Sequence, residues 1–429
     1  MKIGFVSLGC AKNLVDSEEI TGLLKENGHV FVSNPRDADA ILINTCGFID
    51  PAKQESINTI LEMTKKADTV IALGCLAERY EDDLKNLIPE LKAVIPIRDY
   101  PRLPELLSEA LETPIHNCHK RLVSTGESSA YVKISEGCSN FCSFCAIPLI
   151  RGKQQSKLIH EVRQEVQDLI SRGISEITLI AQDTTKYGVD RYGKPMLADL
   201  IRELDSIEGL HWIRILYMYP DEITPEILDA MLHSRKVLPY FDIPIQHVND
   251  RLLRKMNRRG TKDEVKALVS NIRTLFPEAV LRTTIIVGFP SETEEDFQEL
   301  LDFVAETKWD RLGAFVYSKE EDTSAYHFQP EVDIETAQDR LDRLMTLQQQ
   351  ISLENNQKKV GKVIEVLVED QDGISGLYRG RSAADAPDEA DGKVIFQSEV
   401  PLKSGEYVNV RVTEARQYDL IGFYEGRPE

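Results

Sequence analysis

The segment ISEGCSNFCSFCAIPLIRG, residues 134–152, contains Cys138, Cys142 and Cys145 in a C-x3-C-x2-C pattern. A structural zinc site requires four protein ligands, and so does a fully ligated iron–sulfur cluster. Three thiols spaced this closely therefore predict a metal centre with one position left for another molecule. A zinc knuckle, or thiols without a metal, is the alternative that the spacing alone leaves open.

The composition indicates a globular protein with more than one core, since 42% of the 429 residues are hydrophobic and 28% are charged. No segment approaches the roughly 18 consecutive apolar residues that a membrane-spanning helix needs, and the first residues lack a signal-peptide pattern. Seven cysteines, unevenly placed, do not form a disulfide framework. We expect a cytoplasmic protein with no membrane partner and with clustered thiols that bind metal.

Residues 1–118 predict a parallel α/β sheet domain, because the apolar runs KIGFVSLG, AILINT and TVIALG alternate with helical periods. These three strands end at Cys10, Cys46 and Cys75. The carboxyl ends of parallel strands meet at one edge of a sheet, so the three thiols are expected to lie together. A single cysteine is more often a small buried side chain. The shared position of all three favours a second cluster.

Residues 125–357 repeat a strand–helix unit six times, starting at AYVKI, EITLIA, WIRILYMY, YFDIPI, VLRTTIIV and RLGAFVY. Repeated units of this kind predict an incomplete parallel (βα)6 barrel. The cysteine segment follows the first barrel strand directly. Because active residues of such barrels lie at the carboxyl ends of the strands, the segment is expected on the catalytic face.

Residues 358–429 change character to short alternating strands broken by Gly and Asp, which predicts a small C-terminal antiparallel β-barrel. Between Ser382 and Gly392 lies the polar acidic loop SAADAPDEADG. The tail contains ten Lys or Arg and fourteen Asp or Glu, a net charge of −4, within a chain whose net charge is −20. This charge favours a basic protein partner over a phosphate backbone.

The cysteine spacing resembles that of radical S-adenosylmethionine enzymes, in which the cofactor's amino acid end binds the fourth iron of a 4Fe-4S cluster. The resemblance implies that Phe144, one residue before Cys145, packs beside the cofactor. Further candidates for cofactor contacts are Gln182, Gln246 and Gly288, which follow barrel strands, and Arg214, which lies on one. Packing or solvation is the alternative at each of these positions.

The whole chain resembles the radical S-adenosylmethionine methylthiotransferases. The motifs SLGCAKNLVDSE, CSNFCSFCAIPLIRGK, AQDTTKYG, YMYPD and DIPIQH are similar to the RimO type, which modifies an aspartate of ribosomal protein S-twelve. The MiaB type, which modifies tRNA, is similar in layout but differs at these motifs. The resemblance implies an N-terminal methylthiotransferase domain, a radical barrel and a TRAM domain. Cys10, Cys46 and Cys75 would then hold an auxiliary cluster, with no catalytic side chain beyond the cluster ligands.

The implied reaction is methylthiolation of the aspartate β-carbon, with two open 4Fe-4S clusters and S-adenosylmethionine as cofactors. The implied partners are ribosomal protein S-twelve, free or within the ribosome, and an electron donor. Methylthiolation of a tRNA adenosine is the alternative, and it ranks lower because the one basic cluster, RKMNRRG at residues 254–260, is more simply a solvated helix end. A non-catalytic iron–sulfur protein is a third class, but it would not need a barrel.

Overall fold

The computed structural model describes residues 1–118, 120–387 and 391–428. The chain divides into two units, which we call the N-terminal unit and the barrel unit. The N-terminal unit consists of Met1–Ser124, Glu136–Gln155 and Ser318–Tyr326. The barrel unit consists of Thr125–Ser135, Ser156–Tyr317 and His327–Glu429. The predicted cysteine segment thus belongs to the same unit as the first 118 residues.

A parallel sheet in the order β2-β1-β3-β4-β5 forms the centre of the described N-terminal unit. Its elements are β1 (Lys2–Ser7), α1 (Ala11–Glu26), β2 (Val30–Phe31), β3 (Ala40–Thr45), α2 (Asp50–Met63), β4 (Val70–Gly74), α3 (Cys75–Arg79), α4 (Glu81–Leu87), β5 (Leu91–Pro96) and α5 (Leu103–Leu111). Every residue of β3 and β4 is buried, because helices cover both faces of the sheet. Successive residues such as Ile41 and Leu42 enter separate cores on opposite faces.

The barrel unit begins with β6 (Ser129–Lys133). The cysteine segment that follows belongs to the N-terminal unit and contains one short helix between two short strands, and the chain returns to the barrel unit at Ser156. The elements are β7 (Ser135–Glu136), α6 (Ile147–Ile150), β8 (Gln155–Ser156), α7 (Ile159–Ser171), β9 (Glu176–Ile180), α8 (Val189–Tyr192), α9 (Leu197–Asp205), β10 (Trp212–Ile215), α10 (Pro225–His233), β11 (Tyr240–Asp242), α11 (Asp250–Lys255), α12 (Lys262–Leu275), β12 (Val280–Val287), α13 (Glu294–Thr307), β13 (Arg311–Val316) and α14 (Ile334–Gln357).

The six repeated strands of the barrel unit run parallel in two sheets, β10-β9-β6 and β11-β12-β13. Backbone pairing between Ile213 and Val237 connects the two sheets. In the part of the chain that the structure describes, no pairing joins β6 to β13. The incomplete (βα)6 barrel expected from the sequence is therefore confirmed.

The tail forms a closed barrel in the order β14-β15-β16-β18-β17 within residues 358–387 and 391–428. Its strands are β14 (Val363–Gln371), β15 (Tyr378–Ser382), β16 (Val394–Gln397), β17 (Tyr407–Ala415) and β18 (Leu420–Gly426). All neighbouring strands are antiparallel except β16 and β18, which are parallel. A closed ring with an odd number of strands cannot alternate direction throughout, so one parallel pair is unavoidable.

The acidic loop between β15 and β16 contacts the amino ends of the barrel strands, although residues 388–390 of this loop lie outside the described part of the chain. Asp385 Oδ1 lies 2.8 Å from Arg311 Nη2, at the start of β13. The hydroxyl of Tyr240, at the start of β11, donates to Asp391 Oδ2 over 2.6 Å. Both aspartates are buried, so this polar sequence forms part of the interior. None of the described helices is long and apolar enough to cross a membrane.

Candidate cluster sites and cofactor-binding residues

The structure places Cys46 and Cys75 directly after β3 and β4 and places Cys10 two residues beyond the end of β1, and these three strands are adjacent in the sheet. Cys46 and Cys75 are buried, whereas Cys10 is exposed. A Cβ atom added to Gly9 would lie 3.2 Å from Cys46 Sγ, and one added to Gly47 would lie 2.9 Å from the Cys75 backbone. The three cysteines are therefore brought together at the carboxyl edge of the sheet, where glycines permit the close approach.

Burial raises the pKa of the Cys46 thiol and raises the pKa of Cys75 to about 12, with the charges of the neighbouring thiols adding to both. Such thiols require a nearby positive charge before they become thiolates. Within residues 1–118, 120–387 and 391–428, no three His, Cys, Asp or Glu side chains converge on one metal ion. Thiolates of an iron–sulfur cube bind different irons, so they need not converge, and the donor set fits such a cluster.

Asn13, on the first turn of α1, connects the ends of the three strands. Its amide nitrogen donates to Leu8 O over 2.9 Å and to Thr45 O over 3.0 Å. Its amide oxygen accepts from the Cys75 thiol over 3.4 Å. Asn13 is buried. The cysteine pattern alone did not point to Asn13, although its position three residues after Cys10 places it one helical turn from the thiol.

Cys138, Cys142 and Cys145 lie on a loop that is closed by backbone hydrogen bonds. Cys138 N donates to Gly152 O, and Cys145 N donates to Cys142 O, both over 3.0 Å. All three cysteines are half-buried, as is the predicted cofactor contact Phe144. Phe141 is half exposed and has a φ of 52°. Non-glycine residues rarely adopt this left-handed conformation, and those that do are concentrated in functional loops.

Arg151 connects the two cysteine sets, both of which belong to the N-terminal unit. Its Nη2 donates to Asn13 Oδ1 over 2.6 Å, to Asp16 Oδ2 over 2.8 Å and to Cys75 Sγ over 3.5 Å. Its Nη1 contacts Glu136, just before Cys138, over 2.9 Å. Burial lowers the pKa of this guanidinium but the charge of Asp16 raises it, and the result lies well above the usual value. Arg151 therefore stays cationic beside a candidate cluster ligand.

Three of the predicted cofactor contacts follow the carboxyl ends of barrel strands. Gln182 follows β9 and is half-buried. Gln246 follows β11, has a φ of 69°, and is fixed by backbone hydrogen bonds to Thr284 and Ile286. Gly288 follows β12 with a φ of 73°, and a Cβ there would lie 2.6 Å from Ala337 Cβ of α14. A glycine at position 288 is thus explained by its conformation and by packing against α14.

Arg214 is placed differently, because its side chain is directed to the loop at the amino ends of the barrel strands. It is fully buried, and Nη1 donates to Ala383 O over 2.9 Å. Its guanidinium lies 3.4 Å from Glu176 and stacks over the Tyr240 ring at 4.6 Å. These protein partners give Arg214 a structural role, so we do not retain it among the proposed cofactor contacts.

His247, which like Gln246 follows the fourth barrel strand, forms a buried polar pair with Glu292, a residue that the sequence did not single out. His247 Nε2 and Glu292 Oε1 lie 3.8 Å apart, and neither atom has a hydrogen-bond partner among the described residues. The backbone N–H of Asn249 donates to His247 Nδ1, so the proton of the neutral ring lies on Nε2, facing Glu292. Glu292 also accepts from the Gly288 and Phe289 amides. Glu292 therefore fixes the backbone that follows β12.

Family models match the chain in three stretches: the Radical SAM superfamily over residues 132–304, the uncharacterized protein family UPF0004 over residues 2–96, and the TRAM domain over residues 360–424. The ribosomal protein uS12 methylthiotransferase RimO of Caldicellulosiruptor saccharolyticus is 47% identical over 439 residues, covering 98% of this chain and 99% of that protein. The chain belongs to the RimO family.

The RimO family assignment confirms the resemblance found in the sequence. The RimO protein of Desulforamulus reducens is 46% identical over 438 residues, covering 98% of each chain. The solved structure of the radical S-adenosylmethionine methyltransferase TsrM from Kitasatospora setae has a TM-score of 0.55 at 13% identity, covering 87% of this chain and 79% of that chain. That likeness concerns the fold. The family assignment disfavours the MiaB alternative.

Proposed function

We propose that this member of the RimO family methylthiolates the β-carbon of an aspartate in ribosomal protein uS12. The proposal is supported most by the two three-cysteine sets in one unit, which Arg151 joins through Glu136 and Cys75. Cys138, Cys142 and Cys145 would hold the radical cluster, and Cys10, Cys46 and Cys75 the auxiliary cluster. The net charge of −20 suits a basic ribosomal protein better than tRNA.

When bound, the cofactors would supply chemistry that side chains lack: an adenosyl radical, formed by one-electron cleavage of one S-adenosylmethionine, to take the β-carbon hydrogen, a methyl group from a second, and sulfur at the auxiliary cluster. The side chains of this chain hold and shield these groups. Buried Cys46 and Cys75 keep one edge of the auxiliary site away from water, whereas exposed Cys10 leaves another edge accessible. Gln182, Gln246, Phe144 and the Gly288 backbone are proposed to bind S-adenosylmethionine.

The partners follow from the proposed reaction. An electron donor must reduce the radical cluster before cofactor cleavage, and the substrate is uS12, either free or within the ribosome. A protein that modifies a ribosomal protein would act in the cytoplasm. The test is to incubate reconstituted protein, S-adenosylmethionine and a reductant with uS12, with ribosomes and with tRNA in parallel. We expect mass spectrometry to detect a methylthio group on uS12, and modification of tRNA alone would contradict the proposal.

Cysteine variants separate the two proposed cluster roles. Changing Cys10, Cys46 and Cys75 together to Ala should abolish sulfur attachment while deoxyadenosine is still produced from S-adenosylmethionine. Changing Cys138, Cys142 and Cys145 together to Ala should abolish both products. Cys118→Ala is the matched control, because Cys118 packs against the core of the N-terminal sheet and belongs to neither set. Sulfur attachment by the first triple variant would refute the role of the auxiliary set.

A further inference from the structure

Arg151 is the residue through which the radical motif contacts the auxiliary site. It follows Cys145 in the same loop, and the carbonyl of the next residue, Gly152, accepts from Cys138 N over 3.0 Å. Its side chain is only 1% exposed. The guanidinium therefore has a fixed position, with Glu136 of the radical motif on one side and, on the other, Asp16 of α1 and Cys75 at the start of α3.

Two buried side chains of opposite charge, Arg151 and Asp16, lie close to Cys75. Asp16 is 3% exposed and lies 2.8 Å from Arg151 Nη2. If Arg151 were removed, the Asp16 carboxylate would lose this cation and the Cys75 sulfur would lose this N–H donor. A cluster gains one negative charge on reduction, so a nearby cation and an N–H donor to a ligand sulfur favour the reduced form, whereas a nearby carboxylate opposes it.

We propose that Arg151 is a positioning residue that fixes the radical loop on Cys75 and sets the reduction potential of the cluster held by Cys10, Cys46 and Cys75. The inference depends on the proposed function, because it takes these cysteines as cluster ligands. It adds a direct link between the two cysteine sets. The loop that holds one cluster supplies the cation that tunes the other.

The test isolates the auxiliary cluster in a full-length chain whose Cys138, Cys142 and Cys145 are all replaced by Ala. Arg151→Met, Arg151→Lys and Asp16→Asn are then added one at a time. Iron and sulfide per chain report cluster loading, and a redox titration followed by electron paramagnetic resonance reports the midpoint potential. Arg121→Met is the matched control, since Arg121 is a buried arginine that pairs with Glu18 in the same unit.

We expect Arg151→Met to lower the midpoint potential and Asp16→Asn to raise it, because the two substitutions remove opposite charges. Arg151→Lys should recover part of the loss, and Arg121→Met should leave the potential unchanged. An unchanged potential in both Arg151→Met and Asp16→Asn would overturn the inference. If Arg151→Met loses its iron, Asp16→Asn decides: a raised potential supports the inference and an unchanged one overturns it. If the triple-Ala parent binds no cluster, the cluster assignment itself fails.

Discussion

Glu176 and Arg381 form a buried ion pair between the start of β9 and the end of β15. Arg381 Nη1 lies 3.0 Å from Glu176 Oε1, and both side chains are at most 1% exposed. Arg381 also contacts Glu369 of β14, and Arg214 adds a second cation beside Glu176. This pair links the strands of the parallel barrel to the small C-terminal barrel, within the barrel unit.

Breaking this pair should destabilise the barrel unit. Arg381→Met leaves the buried Glu176 carboxylate without its closer cation and with Arg214 at 3.4 Å, and removal of one partner of a buried pair costs about 3–5 kcal/mol. Urea denaturation should report this loss in the free energy of unfolding. Arg379→Met is the control, because Arg379 pairs with Asp370 on the same small barrel while largely exposed. Equal stability of the two variants would contradict the importance of the buried pair.

The stability of the protein should depend on the protonation of Glu176. Burial raises the pKa of this carboxyl group, but the charges of Arg381 and Arg214 lower it by more than burial raises it. The pKa of Glu176 in the folded protein therefore lies below its ordinary value. Because the carboxyl group has a lower pKa in the folded than in the unfolded protein, its ionisation stabilises the fold fully at pH values above the unfolded pKa of about 4.3. This stabilisation is lost as the pH falls through the pKa of the folded protein. Glu176→Gln should remove this part of the acid dependence when unfolding free energies are measured against pH. Parallel pH profiles would argue against it.

Asn13 should be required for the auxiliary site. Asn13→Ala removes the donors to the Leu8 and Thr45 carbonyls, and each buried unsatisfied group costs about 1–3 kcal/mol. We expect a lower melting temperature and less iron per chain in the triple-Ala background that retains only the auxiliary cysteines. Asn27→Ala is the matched control: it removes donors to Leu23 and His116 carbonyls at the other end of α1. Full iron loading of Asn13→Ala would refute the prediction.

Gln246 offers a test of cofactor binding that separates affinity from stability. Its φ of 69° is costly for any residue with a Cβ, so Gln246→Gly should keep or raise the melting temperature. If the side chain binds S-adenosylmethionine, calorimetry should nevertheless show about tenfold weaker binding, the equivalent of one net hydrogen bond of about 1.4 kcal/mol. Asn257→Gly, with a φ of 53°, is the control for backbone relief. Unchanged affinity in Gln246→Gly removes Gln246 from the site.

Gly288→Ala should be more destabilising than an alanine at another left-handed glycine. Both Gly288 and Gly193 have φ near +70°, but a Cβ at Gly193 meets no described atom within 4 Å, whereas one at Gly288 meets Ala337 Cβ at 2.6 Å. Gly193→Ala therefore measures conformational strain alone, at about 1 kcal/mol. The additional loss in Gly288→Ala should be recovered in part by Ala337→Gly. Equal losses of unfolding free energy in Gly288→Ala and Gly193→Ala would show that α14 shifts to accommodate the new methyl group without destabilising the protein.

The strand ends that carry cysteines could be predicted from the sequence, because apolar runs mark the strands and chain order fixes which end each cysteine follows. The partners of Arg151 could not, since Asp16 and Cys75 are distant in the chain and only the fold brings them together. The contacts of Arg214 with Ala383 and Glu176 could not be predicted for the same reason. Its partner carbonyl, Ala383, lies on a loop whose acidic composition is typical of solvent-exposed segments.

The N-terminal unit is built from three separate stretches of chain, the last of which ends at Tyr326. During synthesis, about three quarters of the polypeptide must emerge from the ribosome before this unit has all its parts. Arg79 and Lys53 find their shared carboxylate, Glu320, only at that stage. If Cys10, Cys46 and Cys75 hold a cluster, we expect iron loading of the completed unit to come late in synthesis, and a fragment ending near residue 118 would be poorly suited to studying it.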